Sequence, residues 1–143
     1  MFNVNIRTAT AKDVAALASL ACELGYPTTA DEMSVRLAPL LNDADHAILM
    51  SVDDDVLGWI HVCVVPSLET TPFAEIRGLV VTAAHRSRGI GARLVEAAEA
   101  WARDRALPRI RVRSNILRER THAFYERLGY ETTKAQKVFD KSL

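Results

Sequence analysis

Cysteine is almost missing from this chain: Cys22 and Cys63 are its two thiols in 143 residues, too few for a disulfide framework. Both fall in apolar segments, where a small buried thiol is the ordinary expectation, and the usage suits a reducing cytoplasm. Net charge is missing too. Eighteen basic and eighteen acidic residues cancel, which argues against a nucleic-acid partner gripped by bulk electrostatics and leaves only a local basic patch open. No apolar run approaches membrane-spanning length, and Met1-Phe2-Asn3-Val4-Asn5 carries no basic-then-apolar leader, so the expectation is a soluble, unexported, cytoplasmic chain without a membrane partner. Repeats, low-complexity stretches and linkers are absent. His46, His61, His85 and His122 show no metal-ligand spacing among themselves or with the cysteines, and no Ser/His/Asp set emerges, so no metal is expected.

What is present is apolar material for one core. Nearly half the residues are hydrophobic, 49%, which fits a single compact domain over residues 1–143. Val4 and Ile6 alternate as a first strand. Thr10 to Lys12 offers caps for a helix carrying Val14, Leu17, Leu20 and Leu24, ended by Gly25-Tyr26-Pro27. A second helix starts after Thr29, with Asp31 and Glu32 in its first turn, Met33, Leu37, Leu40 and Leu41 on its buried side, and an end near Asn42. Ala47 to Val52 and Val56 to Val65 read as antiparallel strands about the turn Asp53-Asp54-Asp55, and Phe73 to Val81 as the next strand. Ile90 to Arg105 then places Ile90, Leu94, Ala97, Ala98 and Trp101 on one helical face. A strand Arg109 to Ser114, a helix from about Arg118 to Leu128 stopped by Gly129, and a terminal hairpin through Tyr130 and Phe139 complete the order β-α-α-β-β-β-α-β-α-β-β.

Between the Phe73 strand and the Ile90 helix stands Arg86-Ser87-Arg88-Gly89-Ile90-Gly91. Two glycines let an anion approach the backbone, unpaired N–H groups at a helix start carry partial positive charge, and two arginines add fixed charge. Individually these terms are about 0.3 to 3 kcal/mol; together they suffice to hold a pyrophosphate against water. A P-loop is excluded because Ala92, Arg93 and Leu94 follow Gly91, where Gly-Lys-Ser/Thr would be needed. A dinucleotide fingerprint is excluded by Leu94 at its third small position and by Ser114-Asn115 where an acid should close the next strand.

The segment resembles the acyl-CoA loop of the GNAT superfamily of N-acetyltransferases, Gln/Arg-x-x-Gly-x-Gly/Ala, filled by Arg86, Gly89 and Gly91. Phe73-Ala74-Glu75-Ile76 is similar to a strand pattern of GNAT enzymes with a catalytic glutamate. Ser114-Asn115, with Ala123 to Tyr130, resembles the superfamily's later motif. The resemblance covers essentially the whole chain and implies an α+β, mixed α/β fold. Its sheet would have about seven mostly antiparallel strands, four helices, and a splay between the fourth and fifth strands. It further implies acetyl-CoA as donor and direct transfer to a primary amine in a ternary complex. The rival reading is a non-catalytic acyl-CoA-binding or regulatory module; a nucleotide-binding module is a third.

Acetyl transfer to an amine needs the neutral amine, and deprotonating an alkylamine of pKa about 10 at pH 7 costs about 4 kcal/mol. Glu75 is the candidate base, by desolvation and by the family's placement; Arg77, on the same strand face by period two, supports instead a structural ion pair. The resemblance makes Tyr125 the general acid toward the leaving sulfur. It also assigns cofactor contacts to the backbone of Leu79, Val80 and Val81, to the loop Arg86, Ser87, Arg88, Gly89, Ile90, Gly91 and Ala92, and to Asn115, whose alternative is a turn or helix cap. The acceptor stays open. Arg77, Arg111 and Arg113 favour an amine that also bears an anion, while Tyr26, Asp43 and Asp45 favour a polyamine, aminoglycoside or peptide N-terminus. Homodimerisation is a family-level expectation, with strand edges from Tyr130 to Lys141.

Overall fold

A computed structural model describes residues 4–86 and 88–143. Two compact units emerge, Met1–Val112 and Arg113–Leu143.

The first unit is a five-stranded sheet in the order β1 (Asn5–Thr8), β2 (His46–Asp53), β3 (Asp55–Val65), β4 (Phe73–Val81) and β5 (Ile110–Val112). The first four are antiparallel neighbours, and β4 and β5 run parallel. Helices α1 (Val14–Leu24) and α2 (Ala30–Leu41) follow β1, and α3 (Ile90–Asp104) is the crossover between β4 and β5. Local chemistry explains each boundary. Thr10 caps the 3-10 turn ahead of α1 and Thr29 caps α2, each reciprocated by an acid three residues on, Asp13 and Glu32. Gly25 ends α1 at φ 105°, a left-handed angle that a side chain would strain. Asp54 turns the β2–β3 hairpin at φ 62°.

Leu17 and Leu37 pack with Ile48 and Met50 under α1 and α2, joined by the partly buried Met33, Leu40 and Trp59. On α3 the buried stripe is Ile90, Leu94, Val95, Ala98 and Ala102. A Cβ on Gly58 would lie 2.7 Å from the Val80 carbonyl oxygen and 3.2 Å from Leu94, so this glycine lets α3 and β4 close on β3. Gly58 thus faces α3, and by alternation Trp59, His61 and Cys63 face α1 and α2.

One irregularity positions everything that follows. In β4 the register passes from Val62↔Ile76 to His61↔Gly78, so Arg77 is an extra, bulged residue. Pairing with β5 covers only Ala74↔Ile110, Glu75↔Arg111 and Ile76↔Val112 and stops beside that bulge.

The second unit contains α4 (Glu119–Arg127). The expected terminal hairpin does not form: residues 130–143 hold no strand, and the sheet has five strands rather than about seven. The reason is partnership. Nearly all of that segment is exposed, Val138 and Phe139 included, and its run carries no tight-turn dipeptide to bring two strands together. The fifth strand is likewise shorter than Arg109 to Ser114, ending where its neighbour bends away.

Candidate functional site

Glu75 lies on β4 opposite Cys63, on the α1 and α2 face, and is 3% exposed. A carboxylate buried this deeply needs donors, and two arginines supply them. Arg77 Nη1 donates to Oε2 at 3.2 Å; Arg111 Nε and Nη2 donate to Oε1 at 3.3 and 3.1 Å. Arg111 is Glu75's parallel partner on β5, and its guanidinium and that of Arg109 lie 4.4 and 3.9 Å from the centre of the Phe73 ring. Both carboxylate oxygens are therefore engaged, an arrangement that favours the ion-pair role over the proton acceptor. Cys63 is buried, and burial pushes its thiol up, leaving little thiolate for nucleophilic work. Cys22 corrects the expectation of a buried thiol: it is exposed near the end of α1, its sulfur accepting from the Thr28 amide at 3.4 Å.

Beyond the bulge, Leu79, Val80 and Val81 pair with Ile60, Trp59 and Gly58 on one edge, and β5 does not reach them on the other. The chain then turns through Ala83–His85, whose approach is tied to α1: Glu23 accepts from the Ala83 amide at 3.0 Å and the Thr82 hydroxyl at 3.3 Å. Arg86 is exposed and its Nε donates to the Val81 carbonyl at 3.4 Å. Arg88 is exposed; Ser87 lies outside the described residues.

Gly89 opens α3 at φ 78°, with no side-chain cap and nothing within 4 Å of where a Cβ would stand. The contrast with α2, whose first turn is closed by the Thr29–Glu32 box, is chemical. An uncapped start presents backbone donors to an incoming anion. Ile90, 2% exposed, anchors the turn in the core, while Gly91 and Ala92 are half-buried behind it.

In the second unit, Tyr125 is buried and packs edge-on against Phe124 and Tyr130 at 5.0 and 5.4 Å between ring centres. Burial pushes its phenol up to about 12, so it keeps its proton at any ordinary pH. Asn115 adopts the turn role that its residue type also predicts: Oδ1 accepts from the Leu117 amide at 2.9 Å, and its carbonyl accepts from the Arg118 amide at 3.0 Å.

Sequence reasoning missed one cluster. His46 Nδ1 and His61 Nε2 are 2.9 Å apart across β2 and β3, and Asp43 Oδ2 lies 3.8 Å from His46 Nε2. Burial, followed by the charges of His46 and Arg77, pushes His61 down to about 4. The signal was available, because a hairpin turning at Asp54 places both imidazoles on one face. With Trp59, His61 lines a groove of about 250 Å³ between α1, α2 and the sheet. Among the described residues no group of three or more His, Cys, Asp or Glu could hold a metal ion.

The profile of the acetyltransferase (GNAT) family matches residues 12–130. A relative named aminoglycoside N(6')-acetyltransferase type 1, from Stenotrophomonas maltophilia, is 30% identical over 90% of this chain and 87% of its own length. Among solved structures, the aminoglycoside 6'-N-acetyltransferase AAC(6')-Ih from Acinetobacter baumannii superposes with a TM-score of 0.86 at 22% identity, covering 99% of both chains. AAC(6')-Iy, in complex with the bisubstrate analogue CoA-S-monomethyl-acetylneamine, gives 0.88 at 16% identity over 99% of this chain and 100% of its own. At those identities the two structures speak for the fold, and the profile for the lineage: the chain belongs to the acetyltransferase (GNAT) family.

Proposed function

We propose that this enzyme is an acetyl-CoA-dependent N-acetyltransferase that delivers the acetyl group to a primary amine by direct attack in a ternary complex. The observation that carries the reading is the start of α3, open above Gly89 and flanked by Arg86 and Arg88, an anion cradle beside a strand whose far edge is free of β5. The amides of Gly89, Ile90, Gly91 and Ala92 would hold the pyrophosphate. The unpaired edge of β4 at Leu79 to Val81 offers main-chain groups for the pantetheine amides and the acetyl carbonyl. Acetyl-CoA supplies an activated thioester when bound. Tyr125 gives its phenolic proton to the leaving sulfur, a role that rests on the family motif and on a hydroxyl kept protonated by burial. Asn115 contacts the cofactor arm in this proposal, beside its turn role. A cytoplasmic location and a homodimer are part of the proposal.

The acceptor is a small-molecule or peptide amine. Relatives named as aminoglycoside acetyltransferases place aminoglycosides at the head of an amine panel. Calorimetry with acetyl-CoA, CoA and ATP, followed by thiol release across that panel, tests the proposal; ATP binding as tightly as acetyl-CoA would defeat it. The ion-paired Glu75 gives a non-catalytic acyl-CoA-binding module its one foothold. For the enzyme, Tyr125→Phe is expected to lower kcat about 100-fold with cofactor affinity retained. Glu75→Gln is expected to cost stability and leave the shape of the pH–rate profile intact, whereas a base would lose its acid limb. Unchanged transfer in the tyrosine variant would remove Tyr125 from the mechanism.

A further inference from the structure

Both oxygens of Glu75 accept hydrogen bonds from arginines, and a second candidate acceptor for the amine's proton stands in the neighbouring groove. The groove of about 250 Å³ is lined mostly by apolar side chains, among them Leu17, Leu37, Ile48 and Trp59, and its one imidazole is His61. His61 pairs across β3 and β4 with Gly78, the residue immediately before Leu79 to Val81. A Cβ on Gly78 would lie 3.1 Å from the Trp59 ring, so the floor of the groove abuts β4 at the bulge. The groove therefore lies next to the strand on which the acyl group is proposed to rest, with the Trp59 ring as the wall between them.

The arrangement of the two imidazoles has a direction. Asp43 Oδ2, 3.8 Å from His46 Nε2, electrostatically favours the tautomer that keeps a proton on that nitrogen. His46 Nδ1 is then an acceptor, and the 2.9 Å contact is a hydrogen bond donated by His61 Nε2–H. Nδ1 of His61 is left with a lone pair and makes no hydrogen bond among the described residues. From Asp43, His46 and this geometry, we propose that His61 accepts the proton of the attacking amine, and that the hydrogen-bonded pair moves the resulting charge to His46.

Atoms and charge balance. The amine N–H bond breaks as His61 Nδ1–H forms; the bridging proton passes from His61 Nε2 to His46 Nδ1. The positive charge comes to rest on an imidazole 25% exposed beside Asp43, instead of in the groove. When the acetylated product leaves, the bridging proton returns, His61 Nδ1 releases its proton to water and the starting tautomers are restored, while the second N–H proton, shed as the tetrahedral adduct collapses, is taken up through solvent by the Tyr125 phenolate. The relay answers an obvious objection: burial keeps His61 neutral, down to about 4, which would make it a poor resting place for a proton. It is a point of transfer rather than storage. The other charges around it are Arg77 and the ion-paired Glu75 from β4, and Arg36 from α2.

This inference rests on the acetyltransfer reading, and the tests separate the two. In wild-type protein at neutral pH, long-range 15N NMR should find His61 protonated on Nε2 and bare on Nδ1; a proton on Nδ1 overturns the relay whether or not turnover is seen. In His61→Gln, kcat is expected to fall about 100-fold at pH 7, with acetyl-CoA affinity by calorimetry unchanged and the deficit shrinking as rising pH supplies free amine. His46→Gln should lose about 10-fold and move the acid limb of the profile. A folded His61→Gln protein with wild-type kcat and pH profile sinks the relay alone. A wild-type chain that acetylates no amine in the panel overturns the acetyltransfer reading and takes the relay with it.

Discussion

Single side chains in this molecule are governed by what they are tied to. Asp13 closes the Thr10 capping box ahead of α1 and also accepts hydrogen bonds from Nη1 and Nη2 of Arg7 at 2.9 Å, fastening β1 to the first helix. The Arg7 hydrogen bonds outweigh burial and hold its carboxyl down at about 2. A depressed folded-state pKa means that the pair's stabilisation is fully present above about pH 4 and is lost as pH falls toward 2. Because Arg7 is nearly half exposed, its worth is discounted to about 1 kcal/mol. Asp13→Asn should therefore lower the midpoint of denaturant unfolding at pH 7 and leave it nearly unchanged at pH 2; equal losses at both would remove the ion pair as the cause. The same dependence on partners explains which site residues could be read from the chain. Arg77 is two positions from Glu75, so its pairing follows from strand period. Arg111 is 36 positions away and meets Glu75 only because β4 and β5 run parallel in one register. The His46–His61 pair follows no metal-ligand or Ser/His/Asp spacing, and is legible only by folding the β2–β3 hairpin about Asp54.

Elements whose ends are set by neighbouring residues were legible, and those completed by distant partners were not. Both capping boxes, the Gly25 stop and the Asp53-Asp54-Asp55 turn are short-range chemistry, and α1, α2, β2, β3 and β4 begin and end within a residue or two of expectation. A terminal hairpin has no such local determinant in residues 130–143, which hold no strand. The start of α3 combines both kinds. Its glycines are local signals, while the absence of a cap is a fact of three dimensions. Gly89→Ala places a Cβ at φ 78° for about 1–2 kcal/mol of backbone strain. It should lower thermal stability slightly and weaken acetyl-CoA binding about 10-fold or more by calorimetry, since the donors must reorient. Unaltered affinity would mean the coenzyme's phosphates bind elsewhere.

At the scale of the whole chain, exposed apolar side chains bear on assembly and the β4 bulge on access to the site. Val138 and Phe139 are 80% and 87% exposed in a segment without regular structure, an arrangement suited to burial against a second copy. Light scattering is expected to give the mass of two 15.8 kDa chains, and Phe139→Asp to halve it; a monomeric wild type would refute the dimer. The bulge at Arg77 carries a larger consequence. Every cross-strand partner on either side of it is already in phase, so deleting that one residue would leave each β3–β4 pair as it is and take out the kink together with the Arg77–Glu75 ion pair, leaving Arg111 as the carboxylate's partner. The edited strand would run straight, its far half would zip toward its parallel neighbour, and the notch would vanish. Such a protein should fold and yet be blind to its coenzyme, which makes a single inserted residue the difference between a sealed sheet and an enzyme.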